Sequence, residues 1–297
     1  MRESPSITTI ARGLWAMLVL AGGGLYPGHF TMELIEVLRD ASIVLVETYT
    51  MPNADWLVEE VRKYTGGRVV AATRSMLEEG LHQIVSEAAG KIVVVVTAGD
   101  PLIATTHKAL LHEASKRGVE YRILHGISGV CSAKTDSGLD YYKYGRTITI
   151  PGPWRGVRAY SVLWYTYSNM CTGLHTLLLL DVDENGGQLS PRSAAAIIMG
   201  LEDEVGPKIL TRTRVLVIWD SGLSSMKVES YTIEGLSKVE EKSRGIASII
   251  VPGSISPVEA ELLESMHGIK LNPADYRQVQ EEACSALDRL KDYIIIQ

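Results

Sequence analysis

The chain has 297 residues, 46% hydrophobic and 22% charged, which is ordinary globular usage and excludes a disordered, collagen-like or coiled-coil chain. At roughly 150 residues per domain, this length predicts about two domains. Lys and Arg number 29 against 35 Asp and Glu, a net charge of -6, so there is no basic footprint for a phosphate backbone and nucleic acid is not an expected partner.

Residues 1–13 are polar and without period, and read as a flexible leader that folding does not need. Met17 could itself be a start, which leaves open whether residues 1–16 belong to the native protein. Arg2 and Arg12 precede the apolar run 14–21, a pattern shared with secretory signals. That run is too short to span a membrane and leads directly into three glycines, so it is expected as a buried first strand. No other apolar run reaches membrane-spanning length, which predicts a soluble protein.

Short apolar, β-branched runs then alternate with helical patterns. Strands are expected at 15–21, 42–47, 68–71, 92–97 and 119–124, and helices at 31–40, 54–65, 75–89 and 106–117. Near-continuous hydrophobicity in the strands predicts burial on both faces of a parallel sheet, so residues 14–126 read as a doubly wound α/β domain. From Gly126 the texture changes to Gly, Ser, Tyr and Pro, and the interdomain crossing is placed near there. Strands at 145–150, 174–181, 214–219 and 246–251, with helices at 157–170, 191–205, 256–266 and 274–292, make residues 127–297 a second α/β domain.

Gly22-Gly23-Gly24 follows the first strand and Glu47 ends the second, near where a Rossmann fold keeps its ribose-binding acid. Pro27 occupies the place of that fingerprint's third glycine, so a tight structural turn and a ligand-binding turn stay equally open. Ala98-Gly99-Asp100-Pro101 sits at the carboxyl edge of the sheet, where Asp100 offers an acceptor for hydroxyl or ammonium groups. Thr105 and Thr106 are expected to cap the helix that follows. None of the seven histidines makes an i, i+4 pair, and His107 and His112 are expected in caps or at the surface. No metal site is predicted. Ser128 lies in G-I-S-G, not in a nucleophile elbow, and no P-loop is present. Cys131, Cys171 and Cys284 lie far apart without a C-x-x-C pair, which predicts neither a disulfide framework nor a zinc knuckle and favours a reducing cytoplasm. Thirteen tyrosines, clustered at 141–144 and 160–167, suit a domain interface or an aromatic wall for a cation.

The glycine turn ending in Leu25-Tyr26, followed by Thr97-Ala98-Gly99-Asp100-Pro101, resembles the tetrapyrrole methylase superfamily. Within it, GDPLIATTH (99–107), HGIS (125–128) and GLHTLLLLD (173–181) resemble the diphthine synthase branch. The resemblance implies two α/β domains, the second with a mixed sheet, and S-adenosylmethionine held in a cleft between them, with S-adenosylhomocysteine as product and no metal. It implies donor contacts from Leu25, Asp100, Ile103, Ser128, Gly129, Leu180, Ser221 and Ala247. The family usually carries isoleucine where Gly129 stands and histidine where Ala247 stands, which implies either backbone-mediated donor contacts there or a looser hold on the adenine end. The leader before Met17 and the tail beyond about residue 270 exceed the family's usual ends.

The activity so implied is trimethylation of the amino group of a 3-amino-3-carboxypropyl-histidine on translation elongation factor 2, by a homodimeric, cytoplasmic enzyme. Tyr141 or Tyr142 would hold the methylated ammonium, and no catalytic base is named. The alternatives are a porphyrinoid methylase of the same fold, a nicotinamide-dependent oxidoreductase using Gly22–Gly24 and Glu47, and a non-catalytic module docking on the elongation factor.

Overall fold

A computed structural model describes residues 16–52, 54–240 and 245–294; the predicted leader, residues 1–13, lies outside them. The chain divides into two compact units, one ending at Gly129 and the other starting at Val130.

The first unit is built on five parallel strands: β1 (Met17–Gly22), β2 (Ile43–Glu47), β3 (Arg68–Ala72), β4 (Ile92–Thr97) and β5 (Tyr121–Leu124). Their spatial order is β3-β2-β4-β1-β5. Because successive side chains point to opposite faces, each apolar run feeds two cores. Val19, Ala21, Val44, Val46, Val94 and Val96 pack on one face with Leu34 and Leu38 of α1 (Met32–Asp40) and Leu57 and Val61 of α2 (Asp55–Arg62). Leu18, Leu20, Leu45, Val93 and Val95 pack on the other with Ile84 and Val85 of α4 (Leu81–Ala88) and Leu110 and Ala114 of α5 (Lys108–Lys116). This is the doubly wound sheet that the strand texture predicts. The single helix expected over 75–89 is two, α3 (Arg74–Glu78) and α4, because the chain breaks at Gly80, where a Cβ would stand 2.6 Å from the Met76 carbonyl oxygen.

The second unit holds a mixed sheet of β6 (Ile148–Ile150), β7 (Thr176–Leu180), β8 (Arg214–Trp219), β9 (Lys227–Thr232) and β10 (Ala247–Val251), ordered β6-β7-β10-β8-β9. β6 and β7 run parallel and the other neighbours antiparallel. One face packs against α7 (Tyr160–Cys171) and α8 (Pro191–Val205), and the other receives Leu263 of α11 (Pro257–His267) and Tyr276 of α12 (Pro273–Ile294). The short helices α9 (Ile209–Arg212) and α10 (Ile233–Leu236) flank β8 and β9 in the chain.

Cys171 and Cys284 form a disulfide between α7 and α12, across 113 residues of sequence. This corrects the reading that the cysteines imply no disulfide: spacing along the chain carries no information about two helices that meet by packing. Among the described residues Cys131 is the free cysteine, and no helix is long and apolar enough to cross a membrane.

Candidate functional site

Three loops leave the carboxyl edge of the parallel sheet: Gly23-Gly24 after Gly22 ends β1, Ala98 to Pro101 after β4, and His125 to Ser128 after β5. β1 lies between β4 and β5, so the strand order makes these loops neighbours. They are joined through their backbones. Gly23 N–H donates to the Thr97 carbonyl at 2.8 Å, and Gly24 and Gly99 exchange N–H to carbonyl bonds of 3.2 and 2.8 Å. A Cβ on Gly22 would stand 2.5 Å from the Gly99 carbonyl oxygen, and one on Gly126 only 2.3 Å from that same oxygen. The glycine triplet is therefore a packing turn first: its bare backbone lets the three loops close on one another.

Asp100, 5% exposed, braces this junction. Its Oδ1 accepts from Leu102 N–H at 2.9 Å, and its Oδ2 accepts from Gly126 N–H at 3.3 Å and lies 2.8 Å from His125 Nδ1. The acceptor expected to face a ligand already serves the loops' own donors. Leu25 is buried, with its N–H donating to His29 Nδ1 at 3.2 Å. A Cβ on Gly129 would lie 3.5 Å from Leu25 Cδ2, and one on Gly99 would meet nothing nearer than 4.0 Å. Ile103, 37% exposed, presents an apolar side chain from the same loop as Asp100, and Ser128 is buried just before Gly129 opens α6 (Gly129–Asp136). The structure thus gathers Leu25, Asp100 and Gly129 at one edge, with Ile103 and Ser128 adjoining.

In the second unit, Leu180 closes β7 and Ala247 opens β10. The ladder pairs Ser248 with Leu179 and Ala247 with Trp219, so Leu180, Ala247 and Trp219 share one end of the sheet. The Gln188 side chain clamps Ala247: Ala247 N–H donates to Gln188 Oε1 at 2.9 Å, and Gln188 Nε2 donates to the Ala247 carbonyl at 3.0 Å. The Ala247 N–H is thereby occupied, and its carbonyl keeps one lone pair. Nothing in the spacing of Gln188 signals this role. Ser221 donates to Asp136 Oδ2 at 2.8 Å, and Gly222 N–H donates to the same oxygen.

Behind the Asp100 loop, Glu47 is 1% and His107 2% exposed. This corrects two expectations: Glu47 has no open face for a ribose, and His107 is not at the surface; it stands at the N-cap position of α5, but its side chain makes no capping bond. The threonines do not cap α5; Thr105 donates to the Pro101 carbonyl at 2.6 Å and Thr106 to Glu78 Oε1 at 3.1 Å.

The tyrosine cluster at 141–144 is held by a buried network. His175 is fully buried; its Nδ1 accepts from Gly253 N–H at 2.9 Å, which leaves Nε2–H to donate to Glu259 Oε1, also at 2.9 Å. Glu259 also accepts from Asp140 N–H, Ser256 N–H and Lys143 Nζ. Desolvation pushes the Glu259 carboxyl upward, but the hydrogen bonds from His175, Lys143 and the two amides outweigh it and hold it well below the usual carboxylate range. This fixes the turn carrying Tyr141 and Tyr142, whose rings meet edge to face with centroids 6.3 Å apart. Tyr142 is 92% exposed, and Lys134 Nζ already lies 5.9 Å from the Tyr141 ring centroid.

Residues 17–224 match the family model of the Tetrapyrrole (Corrin/Porphyrin) Methylases. The chain belongs to this family. It is 42% identical over 281 residues to a diphthine synthase of Aeropyrum pernix, covering 92% of this chain and 95% of the relative. A diphthine synthase of Pyrobaculum neutrophilum is 37% identical, covering 86% and 99%. Among solved structures, a conserved hypothetical protein of Aeropyrum pernix K1 superposes with a TM-score of 0.85 at 39% identity, covering 92% of this chain and 98% of that one. A diphthine synthase superposes with a TM-score of 0.75 at 26% identity, covering 89% and 100%.

Proposed function

We propose that the protein transfers methyl groups from S-adenosylmethionine to the amino group of the 3-amino-3-carboxypropyl-histidine of translation elongation factor 2, three in all, and so makes diphthine. The observation that carries this reading is the 42% identity to a diphthine synthase across nearly the full length of both chains. The loop junction fits the donor. Leu25 and Ile103 offer apolar surface for an adenine, the backbone approaches closely at Gly99, and the nearby imidazole of His125 is paired with Asp100, so no unpaired cation of these loops opposes a sulfonium. The donor, when bound, supplies an electrophilic methyl group. Leu25, Asp100, Ile103, Ser128 and Gly129 are the proposed contacts from the first unit; the assignment of Leu180, Ser221 and Ala247 rests on family resemblance alone.

Moving a methyl from sulfonium to amine creates no oxyanion, so the protein's work is alignment. The amine must be neutral to attack, and removal from water disfavours its ammonium form without a dedicated base. Tyr141 and Tyr142 would take the growing ammonium against their faces. Replacing both with Ala should stall the later methylations, whereas replacing both with Phe should leave them intact. We also place the protein in the cytoplasm as a homodimer, in keeping with the resemblance; light scattering of the purified chain tests the second point.

The direct test is the intact mass of elongation factor 2 carrying the unmethylated aminocarboxypropyl histidine, after incubation with the protein and donor. A ladder ending at three methyls is expected. No shift with adenosylhomocysteine binding preserved would move the substrate toward a porphyrinoid, and no binding at all would overturn the methylase reading.

A further inference from the structure

We propose that His125 is the catalytic base of this site, taking from the substrate amine the protons that methylation displaces, and that Asp100 positions it. This deepens the methyl-transfer reading and rests on it. The segments that follow β1, β4 and β5 each carry one imidazole, and their surroundings set them apart. His29 Nδ1 accepts from Leu25 N–H at 3.2 Å, so its hydrogen is on Nε2 and the neutral ring has no lone pair left to take a proton. His107 is 2% exposed, out of a substrate's reach. His125 is the reverse of both. Its Nδ1 lies 2.8 Å from Asp100 Oδ2, and its side chain is 72% exposed while that of Asp100 is 4% exposed.

Asp100 decides which nitrogen of that ring carries the hydrogen. Its Oδ1 accepts from Leu102 N–H and its Oδ2 from Gly126 N–H, so both carboxylate oxygens act as acceptors and the hydrogen of the His125 contact belongs to Nδ1. Nε2 is left with a bare lone pair on an exposed ring. Backbone amides hold the carboxylate and the carboxylate holds the imidazole, which is the order of orienter and base that proton transfer needs. His125 also directly follows β5, whose Leu124 pairs with Ala21 of β1, so the ring hangs from the end of a paired strand. The chemistry calls for such a group. An ammonium that becomes a trimethylammonium sheds three protons, one before each attack on the donor. Removal from water loosens them, but they still need a carrier. In each case an N–H bond breaks, its electron pair stays on the amine nitrogen, and the proton bonds to Nε2, from which the exposed ring passes it to water. The imidazolium formed in between lies against the Asp100 carboxylate as an ion pair, so no uncompensated cation faces the donor's sulfonium.

The test compares the full-length wild type with His125→Gln. Glutamine can still donate an N–H to Asp100 but has no basic nitrogen. The calorimetric Kd of S-adenosylhomocysteine should be unchanged, while single-turnover methylation of elongation factor 2 carrying the aminocarboxypropyl histidine should slow by about a hundredfold or more. Added imidazole should restore the rate, whereas pyrazole, of the same shape but barely basic, should not. Nitrogen NMR of the wild type should place the hydrogen of the neutral His125 ring on Nδ1, and Asp100→Asn should remove that preference, because an amide can serve the ring as donor or acceptor. A hydrogen on Nε2 in the wild type, or rescue by pyrazole as well as by imidazole, would overturn the base. A His125→Gln rate equal to that of a methylating wild type would reject the base alone, and a wild type that methylates nothing would reject the methyl-transfer reading and the base with it.

Discussion

Gly126 shows how a single residue sets the geometry of the loop junction. Its Cβ position is blocked by the Gly99 carbonyl oxygen and by the Gly22 backbone at 2.8 Å, and backbone cannot rotate away as a side chain can. Gly126→Ala should destabilise the first unit by about 1–3 kcal/mol, the range for forcing an extra carbon into packed surroundings, and should weaken adenosylhomocysteine binding more than tenfold. Urea melts and titration calorimetry check the two effects; a variant of wild-type stability would show that the loops can part without cost. Asp100 and Gly126 were both legible from the strings that contain them, and so was the edge of the sheet on which they sit. Their mutual bond was not, because periodicity places a residue at the end of a strand without saying which strand lies beside it. Glu47 is the sharper case. Its position at the end of β2 was evident, but its burial was not, and a carboxyl at a strand end reads as an open acceptor until the packing around it is known.

The elements that were readable are those whose period runs unbroken. Helix α8 falls on the predicted 191–205, with Ser190 at its N-cap accepting from Ser193 N–H and Pro191 just inside, and β4 and β8 start and stop where their apolar runs do. β9 was missed because Lys227–Thr232 is mixed in polarity and only partly buried, pairing with β8 alone at the edge of the sheet. α6 was missed because Gly129–Asp136 buries little more than Ala133. The link between α7 and α12 is likewise outside what a linear pattern can show. The Cys171–Cys284 bridge closes a long loop, and Gln280 of α12 adds a hydrogen bond to the Cys171 carbonyl at 2.9 Å. Replacing both cysteines with Ser should lower the stability of the second unit by about 2–4 kcal/mol, chiefly by freeing the unfolded chain. The same loss should follow from adding reductant to the wild type but not to the double variant. A melting temperature indifferent to reductant would exclude a structural role for the bridge.

Over the whole molecule, two buried glutamates give stability opposite dependences on pH, one in each unit. The Glu47 carboxyl is raised from 4.5 to about 7. Its contribution is complete below the unfolded value and is lost as pH rises through about 7. The shift corresponds to about 3 kcal/mol. Glu259 is lowered from 4.5, so its contribution is present above that value and fades as pH falls beneath it. The protein should therefore be most stable near pH 4.5, with the first unit weakening as pH rises from there toward 7 and the second as pH falls. Calorimetric scans from pH 3 to pH 9, with amide exchange to assign each transition to a unit, check this order. Glu47→Gln should flatten only the alkaline limb of the profile. Glu259→Gln should lower stability above pH 4.5 and flatten only the acid limb, since glutamine cannot match a carboxylate that accepts from His175, Lys143 and two amides at once. If the alkaline limb is lost first from the second unit, the buried carboxyl that governs it is not Glu47.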